Sequence, residues 1–299
     1  MSTQPEPVPA EPSPFDRVTA RAICGWSLLG AVPGIVMVAT WRGDFALARA
    51  YGGIAMYLGS ALALLLYGRA KGVDLARLFG RPLRAADVPR SIGLALTLLS
   101  FSLGTMLVVI AGVTSMFPGL LAHFTENSPD FIATPRAGVD PVATAGLIAS
   151  AVLLAPPCEE MLFRGFLLSR WTRRHGARGG VILSAALFGA LHFALAPFGA
   201  FALGIVAGVL ALRTRSLWPG ILTHATINAT VVTATTVGQR WAGQGPELPD
   251  AAGLRNLLLL GLGLVAVSAP ILVVAVRRMW RARPAEPPGA APVPVAAGA

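Results

Sequence analysis

Two adjacent glutamates, Glu159 and Glu160, and an arginine four residues later, Arg164, stand inside a stretch that is otherwise apolar enough to lie in a membrane. A charged side chain at the bilayer centre costs about 2.5–3.5 kcal/mol on insertion scales, so such residues need partners and, by default, a function. Further along, two histidines occupy comparable apolar surroundings: His192, preceded at four residues by Phe188, and His224, followed at four residues by Asn228. Residues four apart share a helix face. The spacing therefore predicts a Glu160–Arg164 ion pair, Phe188 packed beneath His192, and His224 pointing the same way as Asn228. Glu159 and Glu160 are about 100° apart around a helix and are not expected to face one point. A carboxylate with two imidazoles is a set suited to activating water for hydrolysis. The same set, Glu159, His192 and His224, is also the His2Glu ligand set of catalytic zinc sites.

Composition shows what must position these residues. The chain has 299 residues, 55% hydrophobic and 13% charged, with a mean hydropathy of +0.67. This points to an all-α, polytopic membrane protein, read as one bundle of about eight spans near 22–41, 50–67, 92–113, 142–168, 180–195, 198–212, 217–237 and 254–276. Apolar runs of this length suit a bilayer. The formal net charge of +10 does not indicate a nucleic-acid surface, because the arginines cluster in short loops beside apolar runs. These are the loop at 69–90, then Arg170, Arg173, Arg174 and Arg178, then Arg213 and Arg215, then Arg277, Arg278, Arg281 and Arg283. The positive-inside bias makes these loops and both termini cytoplasmic. The acidic loop around Glu126 and the polar one near Pro246 fall outside. A bacterial plasma membrane is the expected setting.

Residues 1–16 and 284–299 are rich in Pro, Glu and Ala and read as disordered tails. Residues 17–283 form the membrane domain, whose motif core is 142–237. Val73, Leu75, Leu78 and Phe79 alternate with charges in a way that suits either a short interfacial helix or an ordinary loop. Trp41, Trp218 and Trp280 near span ends read as interfacial anchors. Cys24 and Cys158 form no pairing framework. Pro156 and Pro157 lack N–H donors, so they leave carbonyls of the preceding turn unpaired and distort the helix just before the glutamates.

Glu159-Glu160-x-x-x-Arg164, Phe188-x-x-x-His192 and His224-x-x-x-Asn228, in this order on separate spans, resemble the three motifs of the CAAX prenyl protease and bacteriocin-processing (CPBP, or Abi) family of intramembrane endopeptidases. The resemblance covers about 142–237, with no departure at the motif positions. It implies an eight-helix endopeptidase whose site opens to the cytoplasmic side, acting on a membrane-associated or lipid-anchored protein or peptide. Glu159 would activate the attacking water, His192 would assist at that water, and His224 with Asn228 would stabilise the oxyanion. Glu160, Arg164 and Phe188 would be supports. Many bacterial members have no known prenylated substrate, so CAAX specificity is not carried over.

No HExxH, GxSG or GxGD motif points to another class of membrane protease. A proton-coupled transporter would use the same Glu and His residues, but no internal repeat supports one. A noncatalytic scaffold or immunity factor keeping the motifs for binding is the remaining alternative. The cofactor is left open between none, which is preferred, and zinc. Ligand histidines are normally oriented by outer acceptors. Around His192 the sequence offers only Phe188, Gly189, Leu195 and Ala196, and around His224 only Thr223 and Asn228, with no carboxylate.

Overall fold

The structure, a computed structural model, describes residues 14–117, 141–192, 197–241 and 250–281. These residues are helical, with no strand among them beyond an isolated bridge between Gly80 and Ser216. The helices are α1 (Ala20–Thr40), α2 (Phe45–Ala70), the short α3 (Leu75–Phe79), α4 (Asp87–Met116), a long run α5 (Pro141–Leu191), α6 (Pro197–Thr214), α7 (Trp218–Trp241) and α8 (Ala251–Arg281). The expected loops around Glu126 and Pro246 lie outside the described residues, as does the C-terminal tail.

Side-chain oxygens cap the helices that follow turns. Thr19 accepts from Ala22 at the start of α1, Asp44 from Ala46 and Leu47 at α2, and Asp74 from Ala76 and Arg77 at α3. Each satisfies donors that a helix start leaves unpaired. The run α5 breaks at Gly176, whose φ of 71° favours a residue without a Cβ. Its second arm folds back on the first, and Ser184 donates to the Phe163 carbonyl across the hairpin at 3.0 Å. α5 thus supplies two of the eight expected spans.

Among the described residues, six helices are long and apolar enough to cross a membrane: α1, α2, α4, α5, α6 and α8. The chain is an integral membrane protein. α7 is not among the six, although residues 217–237 read as a span. Its composition is lowered by Thr223, His224, Thr226, Asn228 and Thr230, and Thr223 and His224 are buried within the bundle. The apolar side chains that remain exposed, such as Leu28, Leu62, Leu66 and Leu260, form the lipid-facing surface. Polar groups inward and leucines outward is the arrangement a bilayer solvent favours.

α1 packs on α2, α8 on α4, and α6 lies at the centre against α4, the second arm of α5, α7 and α8. Small residues let these backbones approach: a Cβ on Gly30 would strike the Gly59 backbone between α1 and α2, and Gly104 and Gly261 meet in the same way between α4 and α8. Residues 71–86 are docked rather than free. Leu78 is fully buried and sits on Gly165, Leu217 N–H bonds to the Phe79 carbonyl at 3.0 Å, and Ser216 donates to the Arg81 carbonyl at 2.7 Å. Of the two readings of this segment, the short helix is the one formed. The expected N-terminal tail, 1–16, needs correction at its end. Residues up to 13 lie outside the description, but Phe15 is buried against Phe166, and Asp16 pairs with Arg173 through two bonds of 2.9 Å. A phenylalanine beside an apolar helix end gains more from burial than a Pro-rich average indicates. Cys24 and Cys158 are both free thiols.

Candidate active site

The first arm of α5 is not a uniform α-helix. Two π-helical stretches, Ile148–Leu154 and Met161–Leu167, flank the α-turn Ala155–Glu160 that carries both glutamates. The prolines account for the first. In the widened turn Ala155 N–H bonds to the Ser150 carbonyl, five residues back, so the Ala151 carbonyl loses its α-helical donor. Its π-helical donor would be residue 156, a proline without N–H. The Asn228 side chain takes up this carbonyl, Nδ2 donating to it at 2.7 Å. α7 is thereby fixed to the distorted turn, and Asn228 is committed in part to a structural bond that no local pattern indicates. Such single-turn π distortions recur at functional sites.

An unpaired buried acceptor costs about 1–3 kcal/mol. Asn228→Ala is therefore expected to lower stability by about that amount, and Asn228→Asp, which sets a carboxylate against the carbonyl, by more. Thermal unfolding in detergent, monitored for the three chains side by side, checks the order. Equal melting temperatures would show that the bond contributes nothing.

Glu160 and Arg164 form the expected pair, Oε1 to Nη1 at 3.0 Å, with both side chains essentially inaccessible (1% and 0%). The contact is one of charge more than of hydrogen-bond alignment, since Nε, Nη1 and Nη2 of Arg164 make no hydrogen bond among the described residues. The guanidinium instead lies over the Phe188 ring at 4.6 Å, where the ring face attracts a cation. Phe188 also underlies His192, ring centroids 4.4 Å apart, and meets His224 edge-on at 5.8 Å. One aromatic ring thus touches Arg164 and both imidazoles.

Glu159, His192 and His224 come together. Glu159 Oε2 is 3.9 Å from His192 Nε2 and 3.8 Å from His224 Nε2, and it is buried without a hydrogen bond among the described residues. The far nitrogens have outer partners. His192 Nδ1 is 2.8 Å from the Phe188 carbonyl, which can only accept, so the neutral ring carries its proton on Nδ1 and presents a lone pair at Nε2. His224 Nδ1 faces Glu160 Oε1 at 3.4 Å. The expectation that no carboxylate backs His224 is therefore wrong. The two glutamates do point different ways, as the 100° offset requires, yet the imidazole is wide enough to be reached by one carboxylate at each nitrogen. Gly220 allows this, because a Cβ there would come within 3.1 Å of Glu160 Oε2.

With a carbonyl and a carboxylate behind the two rings, the argument against zinc from missing outer acceptors no longer stands. The donors themselves do not close around an ion as they lie: among the described residues no group of three His, Cys, Asp or Glu side chains is placed to hold one.

Sequence reasoning missed Tyr57. Its hydroxyl donates to Glu159 Oε1 at 2.9 Å from α2. The available signal was a phenol in the middle of an apolar span, which needs a partner when buried.

The cluster is half-open. His192 retains 29% side-chain exposure, Glu159 15% and His224 4%, so a reactant has access from the His192 side. No curated protein and no solved structure matches the chain. Residues 141–230, the segment that brings Glu159, Glu160, Arg164, Phe188, His192, His224 and Asn228 together, match the family model described as type II CAAX prenyl endopeptidase Rce1-like.

Proposed function

We propose that this chain is an intramembrane endopeptidase that cleaves peptide bonds of membrane-associated or lipid-anchored proteins with a water activated by Glu159. The observation that carries this reading is Glu159 Oε2, buried without a hydrogen bond among the described residues and facing two imidazole Nε2 atoms. Glu159 takes a proton from water as its oxygen attacks the scissile carbonyl, and returns that proton to the leaving nitrogen when the C–N bond breaks. His192, with its proton held on Nδ1 by the Phe188 carbonyl, accepts from the same water at Nε2 and fixes its direction. His224 has Glu160 behind Nδ1. Its Nε2, turned into the site, is placed to donate to the oxyanion, where a preorganised donor in a low-dielectric site is most effective. Asn228 keeps one amide N–H beyond its bond to Ala151 and can add to the same task. Glu160 and Arg164 hold His224 and Phe188 in place.

The positive-inside bias supports both termini and the arginine-rich loops in the cytoplasm; a site reached from that side rests on the resemblance of the motifs to the CAAX protease family. The test compares newly formed protein termini in membranes of cells bearing the wild-type chain with those bearing Glu159→Gln. Termini in membrane-associated proteins that appear only with the wild-type chain are expected. Identical sets of termini would overturn the reading.

A further inference from the structure

We propose that Tyr57, on a helix outside the segment matched to the endopeptidase family, is a positioning residue that fixes the plane of the Glu159 carboxylate and so aims one of its oxygens at the reacting water. The proposal rests on the peptidase reading above. A free carboxylate at the end of a glutamate turns about a broad, roughly two-fold terminal torsion. Here Oε1 is occupied by the Tyr57 hydroxyl at 2.9 Å, which leaves Oε2 as the oxygen directed at His192 and His224. The hydroxyl thus fixes the plane of the carboxylate as well as its place.

The packing of α2 shows how the phenol is brought there. Ala50, Gly53 and Tyr57 follow one another at three and four residues, a single helix face. A Cβ on Gly146 would strike Ala50, and one on Gly53 would lie 3.1 Å from Ser150 Cβ, in the π-turn whose Ser150 carbonyl takes the displaced Ala155 N–H. Small residues therefore draw α2 against the distorted part of α5, and the next side chain on that face, Tyr57, reaches past it to Glu159. A second contact fixes the same level: the Cys158 thiol is 3.5 Å from the Tyr57 carbonyl. Tyr57 is held at both its backbone and its hydroxyl by consecutive residues of α5. Removing a catalytic group from its productive geometry by about 1 Å can cost about 10²-fold in rate. Losing one of the restraints on Glu159, with the carboxylate itself retained, is expected to cost about 10-fold.

Tyr57→Phe removes the hydroxyl and keeps the ring. The assay uses an internally quenched synthetic peptide spanning a junction cut only by the wild-type chain in the comparison of termini, with rates referred to the folded, monodisperse fraction in detergent. The expected result is kcat lowered by about 10-fold with KM unchanged in that folded fraction. A role in packing alone leaves kcat at the wild-type value, and that outcome overturns the proposal. So does a rise in KM at constant kcat, which would make Tyr57 a substrate contact. The failure of the wider reading is a different result: no junction is found, or Glu159→Gln cuts the peptide as well as the wild-type chain does.

Discussion

In the Glu159→Gln chain, hydrolysis falls by about 10³-fold or more, within the range that removal of a general base produces, while membrane insertion and melting temperature stay those of the wild-type protein. The two side chains have nearly the same shape, and the amide oxygen can still accept from Tyr57, so the architecture around residue 159 is preserved. What is lost is the basic oxygen between the two Nε2 atoms. Glu159 is the group the reaction depends on most because the other carboxylate, Glu160, is already engaged by Arg164 and His224 and cannot take over. Single-turnover cleavage of the junction peptide, with protein in excess, separates the chemical step from binding. A Glu159→Gln rate within about 10-fold of wild type would be too small a loss for the sole base, and would shift that role to His192.

The largest effect on stability is expected at Arg164. Its guanidinium is wholly buried, and Glu160 beside it is 1% exposed, so Arg164→Ala leaves a carboxylate with no guanidinium to balance it and opens space beneath Phe188. Breaking a buried pair by removing one member costs about 3–5 kcal/mol. A loss of that size is expected to deplete folded protein in the membrane and lower the melting temperature in detergent. Replacing both members with neutral side chains of similar volume, Glu160→Gln with Arg164→Met, is expected to restore much of that stability, since no unbalanced charge remains. The double variant should nevertheless be slow in hydrolysis, because His224 Nδ1 no longer faces a carboxylate. If Arg164→Ala accumulates normally and melts like the wild-type protein, the pair does not stabilise the fold and Arg164 belongs to the chemistry.

These two variants show how far the sequence could be read. Contacts within one helix were legible, because α-helical periodicity places residues four apart on one face. Glu160 with Arg164 and Phe188 with His192 follow from spacing alone, and the structure realises both. The number and approximate extent of the helices were legible for a similar reason, since a bilayer fixes the length of an apolar run. The backbone distortion before the glutamates was likewise legible in Pro156 and Pro157. Its form was not, because a missing donor indicates only that a carbonyl is free and not which side chain will cover it.

The contacts decided by tertiary structure all cross between helices. Tyr57 is 102 residues from Glu159, and Asn228 is 77 residues from Ala151. The carboxylate behind His224 was in plain view as Glu160, but the 100° between adjacent residues turns it, on its own helix, away from Glu159. Periodicity gives the direction of a side chain relative to its own helix axis. It does not give the distance or rotation of the neighbouring helix, and here those are fixed by small residues such as Gly53 and Gly220, where backbones close enough for a phenol or an imidazole to bridge them bring three helices to one carboxylate.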